Sequence, residues 1–173
     1  HLRKMQRHLI EHGEEYARII SADTGKTLAD AYMTDISSAI IAFDYYIKHS
    51  SRVLRERRVR GSHVFSLFTR NRLQHVPRGV IGIISPWNYP LAIPIHEILM
   101  ALMSGNGLLY KAASETQMVG QVIQKIVDAG ELPQDLFVQL NVAGRIAGDA
   151  FLEAGIDKLF FTGSVPVGKI LMK

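Results

Sequence analysis

Leu2, Met5, Leu9, Tyr16 and Ile20 recur near helical spacing, so the chain opens with an amphipathic helix predicted through about residue 20. The polar run Asp23-Thr24-Gly25-Lys26 interrupts it, and Gly25 suits the positive φ that ends a helix. A second helix is predicted over 27–50, with Ala31, Ile36, Ile40, Phe43 and Ile47 on its apolar side. From 52 to 76 the helical period is lost. Val53, Val59, Val64-Phe65-Ser66-Leu67 and residues 73–76 read as short strands around a turn at Gly61-Ser62. After Pro77, apolar runs of strand length (79–84, 107–110, 136–140, 158–161) alternate with helices (91–102, 115–129, 145–154). A last helix starts behind a capping Ser164, with Pro166 tolerated in its first turn. Short apolar strands alternating with helices imply a parallel sheet covered on both faces. The expected fold is α/β: a helical segment (1–51), a short β-hairpin segment (52–77) and a doubly wound, Rossmann-like unit (78–173). Such a unit binds ligands at the carboxyl ends of its strands.

Composition narrows the class. With 47% hydrophobic and 21% charged residues over 173 positions, the chain has the balance of a globular protein. Much of its net charge of +4 comes from the stretch 52–60. No aromatic platform accompanies that stretch, so it reads as a solvated strand or turn, and no nucleic-acid partner is expected. The longest apolar stretch, 91–103, is interrupted by Pro94, His96 and Glu97 and is too short to cross a bilayer. No signal-peptide pattern opens the chain, and the expected location is cytoplasmic. Cysteine is absent, which excludes disulfides, thiolate metal sites and a thiol nucleophile within these residues. A helical pattern already runs at His1 and still runs at Lys173, so the chain reads as part of a longer protein.

Three loops after predicted strands carry candidate chemistry. In Ser85-Pro86-Trp87-Asn88-Tyr89-Pro90, two prolines stiffen the turn, Trp87 offers a flat wall and Asn88 an amide donor. A donor fixed at a strand's carboxyl end is what an oxyanion site requires; the alternative makes Asn88 a helix N-cap. Lys111 ends the second strand and is followed by Ser114, the place where a doubly wound fold meets a dinucleotide ribose. The alternative is a surface lysine beside a capping serine. In Phe161-Thr162-Gly163-Ser164, a glycine and a helix N-terminus could admit phosphate, although the middle glycine of the usual Gly-x-Gly-x-x-Gly is missing. His8-Leu9-Ile10-Glu11-His12 has the spacing of a helical zinc motif. It lacks a third ligand and lies beside Lys4 and Arg7, so no metal is expected.

Taken together these segments resemble the aldehyde dehydrogenase superfamily, over nearly the whole chain. The resemblance rests on Asp23-Thr24-Gly25-Lys26, on 79–90 with its Pro86-Trp87-Asn88 loop, on Gly105-Asn106 with Lys111, on Gly130 to Pro133, and on 161–168. It implies an aldehyde dehydrogenase-like fold, truncated, with NAD or NADP as cofactor and an aldehyde as substrate. By the same resemblance Asn88 holds the aldehyde oxygen, and Ser85, Pro86 and Trp87 wall the cofactor channel. Lys111 and Ser114 match adenosine-ribose positions; Gly144, Gly148, Phe161, Gly163 and Ser164 match positions near the adenine and pyrophosphate. The sequence departs from the family at Ala112, usually proline, at Ser114, often glutamate but here followed by Glu115, and at Val142, usually glycine. The family's cysteine nucleophile and glutamate base would lie beyond Lys173. The family also implies a homodimer or homotetramer joined through the 52–76 strands. A non-catalytic nucleotide-binding or assembly module is the competing expectation.

Overall fold

The computed structural model describes residues 1–63 and 68–172, so the expected strand at 64–67 lies outside the described residues. The opening helix is two helices, α1 (Leu2–Glu11) and α2 (Gly13–Thr24). They break at His12, with φ −110° and ψ 12°, where the ring Nδ1 lies 2.9 Å from the His8 carbonyl oxygen. Gly25 closes α2 in the left-handed conformation, φ 73°. Thr27 caps α3 (Leu28–Ala31), its hydroxyl accepting the Asp30 N–H at 3.1 Å. A π-helical turn, Tyr32–Ile36, leads into α4 (Ser37–Leu54). The predicted 27–50 helix is therefore wider in its middle and longer at its end. Val53 is helical rather than extended, because buried Ser50 and half-buried Leu54 continue the inward face by one more turn.

Since α4 takes residues through Leu54, only β1 (Arg57–Val59) remains to pair with β2 (Asn71–Leu73). The two form an antiparallel ribbon, Arg57 opposite Leu73, with every residue exposed. The second strand thus starts before the predicted 73–76 and stops at Leu73, where its partner runs out.

The main sheet has four parallel strands in the order β5-β4-β3-β6: β3 (Val80–Ile84), β4 (Gly107–Lys111), β5 (Phe137–Gln139) and β6 (Lys158–Phe161). Alternate side chains go to opposite faces, as the strand period demands. Ile81, Ile83, Leu108 and Tyr110 enter a large core with α5 (Ala92–Met103), α6 (Gln117–Asp128) and the helices of the amino-terminal segment. Ile84, Leu109, Leu159 and Phe161 meet Ala147 and Phe151 of α7 (Gly144–Glu153) on the other face. A last helix, α8 (Val165–Leu171), buries none of its residues. Asn106 ties the start of β3 to the end of α5: its Oδ1 accepts the Arg78 and Gly79 N–H groups at 2.6 and 3.0 Å, and its Nδ2 donates to the Ala101 carbonyl at 3.1 Å.

Candidate functional site

Strand register aligns the carboxyl ends. Ile84 lies opposite both Lys111 and Phe161, so the loops that follow β3, β4 and β6 open side by side. Between them and α7 runs a groove of about 760 Å³. Ser85, Pro86, Trp87 and Asn88 line it after β3, and Lys111 and Ser114 after β4. Gly144 and Gly148 line it from α7, and Phe161, Gly163 and Ser164 from the end of β6. All the residues that the sequence proposed for the cofactor channel and the oxyanion donor therefore line one cavity.

Ser85 anchors the first loop. Its N–H donates to the Lys111 carbonyl at 3.2 Å, and its buried hydroxyl to the Tyr110 hydroxyl at 3.3 Å. Trp87 and Asn88 are exposed. Asn88 Oδ1 accepts the Tyr89 N–H at 3.1 Å, which leaves the –NH2 end of the carboxamide to donate. Asn88 is not the N-cap of α5. Leu91 holds that position, and the Leu91 and Ala92 N–H groups go instead to Asp35.

Lys111 is buried, and burial holds its ammonium below the ordinary lysine pKa while the charge of Glu115 pulls it back up. A Cβ at Gly144 would lie 3.6 Å from Lys111 Nζ, an ordinary contact distance, which puts the start of α7 beside the lysine ammonium. Gly148 serves packing, since a Cβ there would fall 2.6 Å from Leu171 Cδ2 of α8. The Gly163 backbone is approached by the Phe161 ring, 2.6 Å from where a Cβ would stand. Ser164 holds the N-cap position of α8, but its side chain makes no capping bond. The alternative reading of Ser114 as a helix cap is not observed: Ser114 begins a short 3-10 turn, and α6 starts later at Gln117.

Three carboxylates to which the sequence reading gave no structural or chemical role matter here. Asp35 is fully buried in the π turn; its Oδ1 accepts from Leu91 and Ala92 at 3.1 and 3.0 Å, and its Oδ2 meets Lys26 Nζ at 2.7 Å. Asp23 Oδ2 accepts the Met118 and Val119 N–H groups at 3.1 and 3.2 Å. The amino-terminal segment thus supplies the acceptors for both crossover helices, α5 and α6. The available signal was a lone aspartate on the apolar stripe of Ala31, Ala39 and Ala42. Glu97, on α5, is buried; its Oε1 accepts the Thr162 hydroxyl at 3.3 Å, and its Oε2 has no partner among the described residues. Burial pushes its carboxyl up to about 7, with the Thr162 hydrogen bond acting against it.

On the far side of the Asn88-Tyr89 segment, Met33, Thr34, Ser38, Tyr89, Ala92, Ile93 and His96 line a second hollow of about 450 Å³. The helical histidine pair is otherwise engaged. The His8 and His12 rings stack at 4.2 Å, and His8 Nε2 lies 2.7 Å from the Tyr16 hydroxyl. Among the described residues no group of three His, Cys, Asp or Glu could hold a metal ion, and no helix is long and apolar enough to cross a membrane.

A parallel sheet with a ligand-sized groove at its switch point defines a nucleotide-binding class of α/β protein. The family follows from comparison: the model of the aldehyde dehydrogenase family matches residues 1–173, and the chain belongs to that family. A curated relative, 4,4'-diapolycopene aldehyde oxidase of Methylomonas sp, is 30% identical over 172 residues, covering 99% of this chain and 32% of its own length. The NAD+ complex of an aldehyde dehydrogenase from Bacillus cereus superposes with a TM-score of 0.88 at 29% identity, covering 99% of this chain and 34% of that one. An NADP-dependent enzyme of E. coli does so with a TM-score of 0.88 at 27% identity, covering 99% and 35%. The expected aldehyde dehydrogenase fold is therefore the observed one. The chain spans about a third of the length of the relatives it matches.

Proposed function

We propose that this chain forms the cofactor-binding part of an NAD(P)-dependent aldehyde dehydrogenase, which oxidises an aldehyde to the carboxylic acid. The observation that carries the reading is the convergence of Asn88, Lys111 and the α7 glycines on one groove at the strand carboxyl ends. The groove fits a dinucleotide in kind: it has ligand volume, a cation at the end of β4, and the start of α7 without a capping side chain. Lys111 and Ser114 would hold the adenosine ribose, and Gly144, Gly148, Phe161, Gly163 and Ser164 the adenine and pyrophosphate. Ser85, Pro86 and Trp87 would wall the channel toward Asn88. The bound NAD or NADP supplies the hydride acceptor.

Asn88 has the chemistry of an oxyanion donor. Its carbonyl end is taken by Tyr89, so its –NH2 can meet the aldehyde oxygen as negative charge grows there. The thiol that attacks the aldehyde is not in this chain, which has no cysteine, and in this reading comes from the remainder of the protein. In the same reading residues 1–51 buttress the 78–173 unit, and the exposed ribbon in 52–77 joins subunits of a cytoplasmic homodimer or homotetramer.

The test is Asn88→Ala in the enzyme that contains this chain, with kcat and melting temperature measured together. The expected result is a kcat lower by roughly a hundred- to a thousandfold. The melting temperature should hardly change, because Asp35 and not Asn88 caps α5. Normal kcat overturns the assignment. The competing reading, a non-catalytic nucleotide-binding module, draws on the missing cysteine; it requires NAD(P)H binding with no aldehyde oxidation by the whole protein.

A further inference from the structure

The ion pair between Lys26 and Asp35 reaches the Asn88 loop from the amino-terminal helices. Asp35 is fully buried, and both of its oxygens are engaged: Oδ1 by the Leu91 and Ala92 N–H groups, Oδ2 by Lys26 at 2.7 Å. Lys26 stands on the turn that Gly25 closes, and its Nζ lies 4.2 Å from the centroid of the Tyr89 ring. The backbone at 91–92 and the side chain at 89 are thus held from one point, and between them Pro90, buried, has a fixed φ. The Tyr89 N–H in turn donates to Asn88 Oδ1. Each step of this path is a direct contact: ammonium to carboxylate and ring, carboxylate to helix start, peptide N–H to carboxamide.

We infer that Lys26 and Asp35 are positioning residues that act through Tyr89 to present the Asn88 carboxamide nitrogen to the reacting oxygen. The inference rests on the oxyanion role given to Asn88 above. A buried ion pair is by itself a weak source of stability, since desolvation offsets most of its attraction. Here the two partners, besides each other and the Thr34 hydroxyl, hold a single segment, 89–92. An amide donor is useful to a transition state only when its direction is fixed beforehand, and small displacements cost rate steeply.

The experiment uses the enzyme that contains this chain and compares Lys26→Met, Lys26→Arg, Asn88→Ala and the Lys26→Met, Asn88→Ala double variant. Steady-state kcat, the KM for NAD(P) and the melting temperature are read for each. Lys26→Met should lower kcat about tenfold and leave the cofactor KM within about twofold, and Lys26→Arg should recover most of the loss by keeping the cation. In the Asn88→Ala background, Lys26→Met should cost less than about twofold, because the donor it aligns is gone. The same non-additivity is expected for Tyr89→Leu, which leaves the buried pair intact and carries the test if Lys26→Met does not fold. Losses that multiply in full in the double variants overturn the positioning role. So does a Lys26→Met enzyme with normal kcat and only a lower melting temperature. Were Asn88→Ala itself to keep its kcat, the oxyanion reading would fall first; a slow Asn88→Ala beside a normal Lys26→Met removes the positioning role alone.

Discussion

Glu97 makes the stability of this fold depend on pH in a calculable way. Glu97 is 9% exposed, its carboxyl accepts one hydrogen bond from Thr162, and Oε2 has no partner among the described residues. Loss of hydration raises its pKa from 4.5 to about 7 in the folded chain, against the smaller opposing effect of the Thr162 hydroxyl. The folded state therefore holds this proton more tightly than the unfolded state does. Between those two pH values unfolding releases a proton, so stability falls as pH rises. The contribution is intact below about pH 4.5, is lost as pH climbs through about 7, and is flat above. At about 1.36 kcal/mol per pH unit the full span amounts to about 3 kcal/mol, of which about 2–3 kcal/mol falls between pH 5 and pH 8. Glu97→Gln keeps the shape and a hydrogen-bonding oxygen for Thr162 but cannot ionise. Urea unfolding of both proteins at each pH should show the variant gaining about 2–3 kcal/mol on the parent from pH 5 to pH 8, with m unchanged. A difference that stays constant over that range would refute the desolvated-carboxyl account.

The cofactor assignment predicts that Ser114→Glu, in the enzyme containing this chain, lowers the NADP/NAD ratio of kcat/KM roughly tenfold by placing a carboxylate against the 2′-phosphate. Glu115→Gln, at the exposed neighbour that also lines the groove, should raise that ratio; an unchanged ratio in both variants places the ribose elsewhere. Asp23→Ala should cost about 1 kcal/mol in thermal or urea unfolding, because two N–H groups at the start of α6 lose their acceptor, and Asp23→Asn should recover most of it. Equal stabilities for the alanine and asparagine variants would show that water replaces the cap.

What the sequence reveals and what it hides divide along the length of the interactions involved. The parallel strands were legible because burial on both faces leaves uninterrupted apolar runs, and 107–110 and 158–161 fall within a residue of β4 and β6. The loops of the groove after β3, β4 and β6 were legible as a set because the topology sends every strand's carboxyl end to the same edge, whereas Gly144 and Gly148 on α7 were found through the family resemblance alone. Local capping rules did worse. They assigned Ser164 and, as alternatives, Ser114 and Asn88 to helix starts, and none of the three caps its helix by a side-chain bond. The acceptors that serve α5 and α6 instead come from 56 and 95 residues away, a separation at which no pattern in a local window can register. The π turn was hidden for a related reason: Ala31, Ile36, Ile40 and Phe43 keep an apolar stripe across it, so the change of helical width leaves the hydrophobic period almost untouched.

These long-range caps bear on how the fold and the chemistry are coupled. The change of period near residue 51 suggests an amino-terminal appendage followed by a separate α/β unit, yet one hydrophobic core runs from Met5 through Phe43 to Val127. Asp23 and Asp35 carry that continuity into the polar layer, each satisfying the first N–H groups of a helix that directly follows a strand of the sheet. A helix start left uncapped in a buried setting costs about as much as a lost hydrogen bond per orphaned N–H. Whatever displaces α2 or the π turn therefore also displaces the beginnings of α5 and α6, and with them the loops that carry Asn88 and Ser114 into the groove. The amino-terminal helices do not contact the groove, as none of its lining residues comes from them. They set its geometry through carboxylates rather than through apolar contact alone, and the direction of a carboxylate's hydrogen bonds is more restrictive than a packed surface.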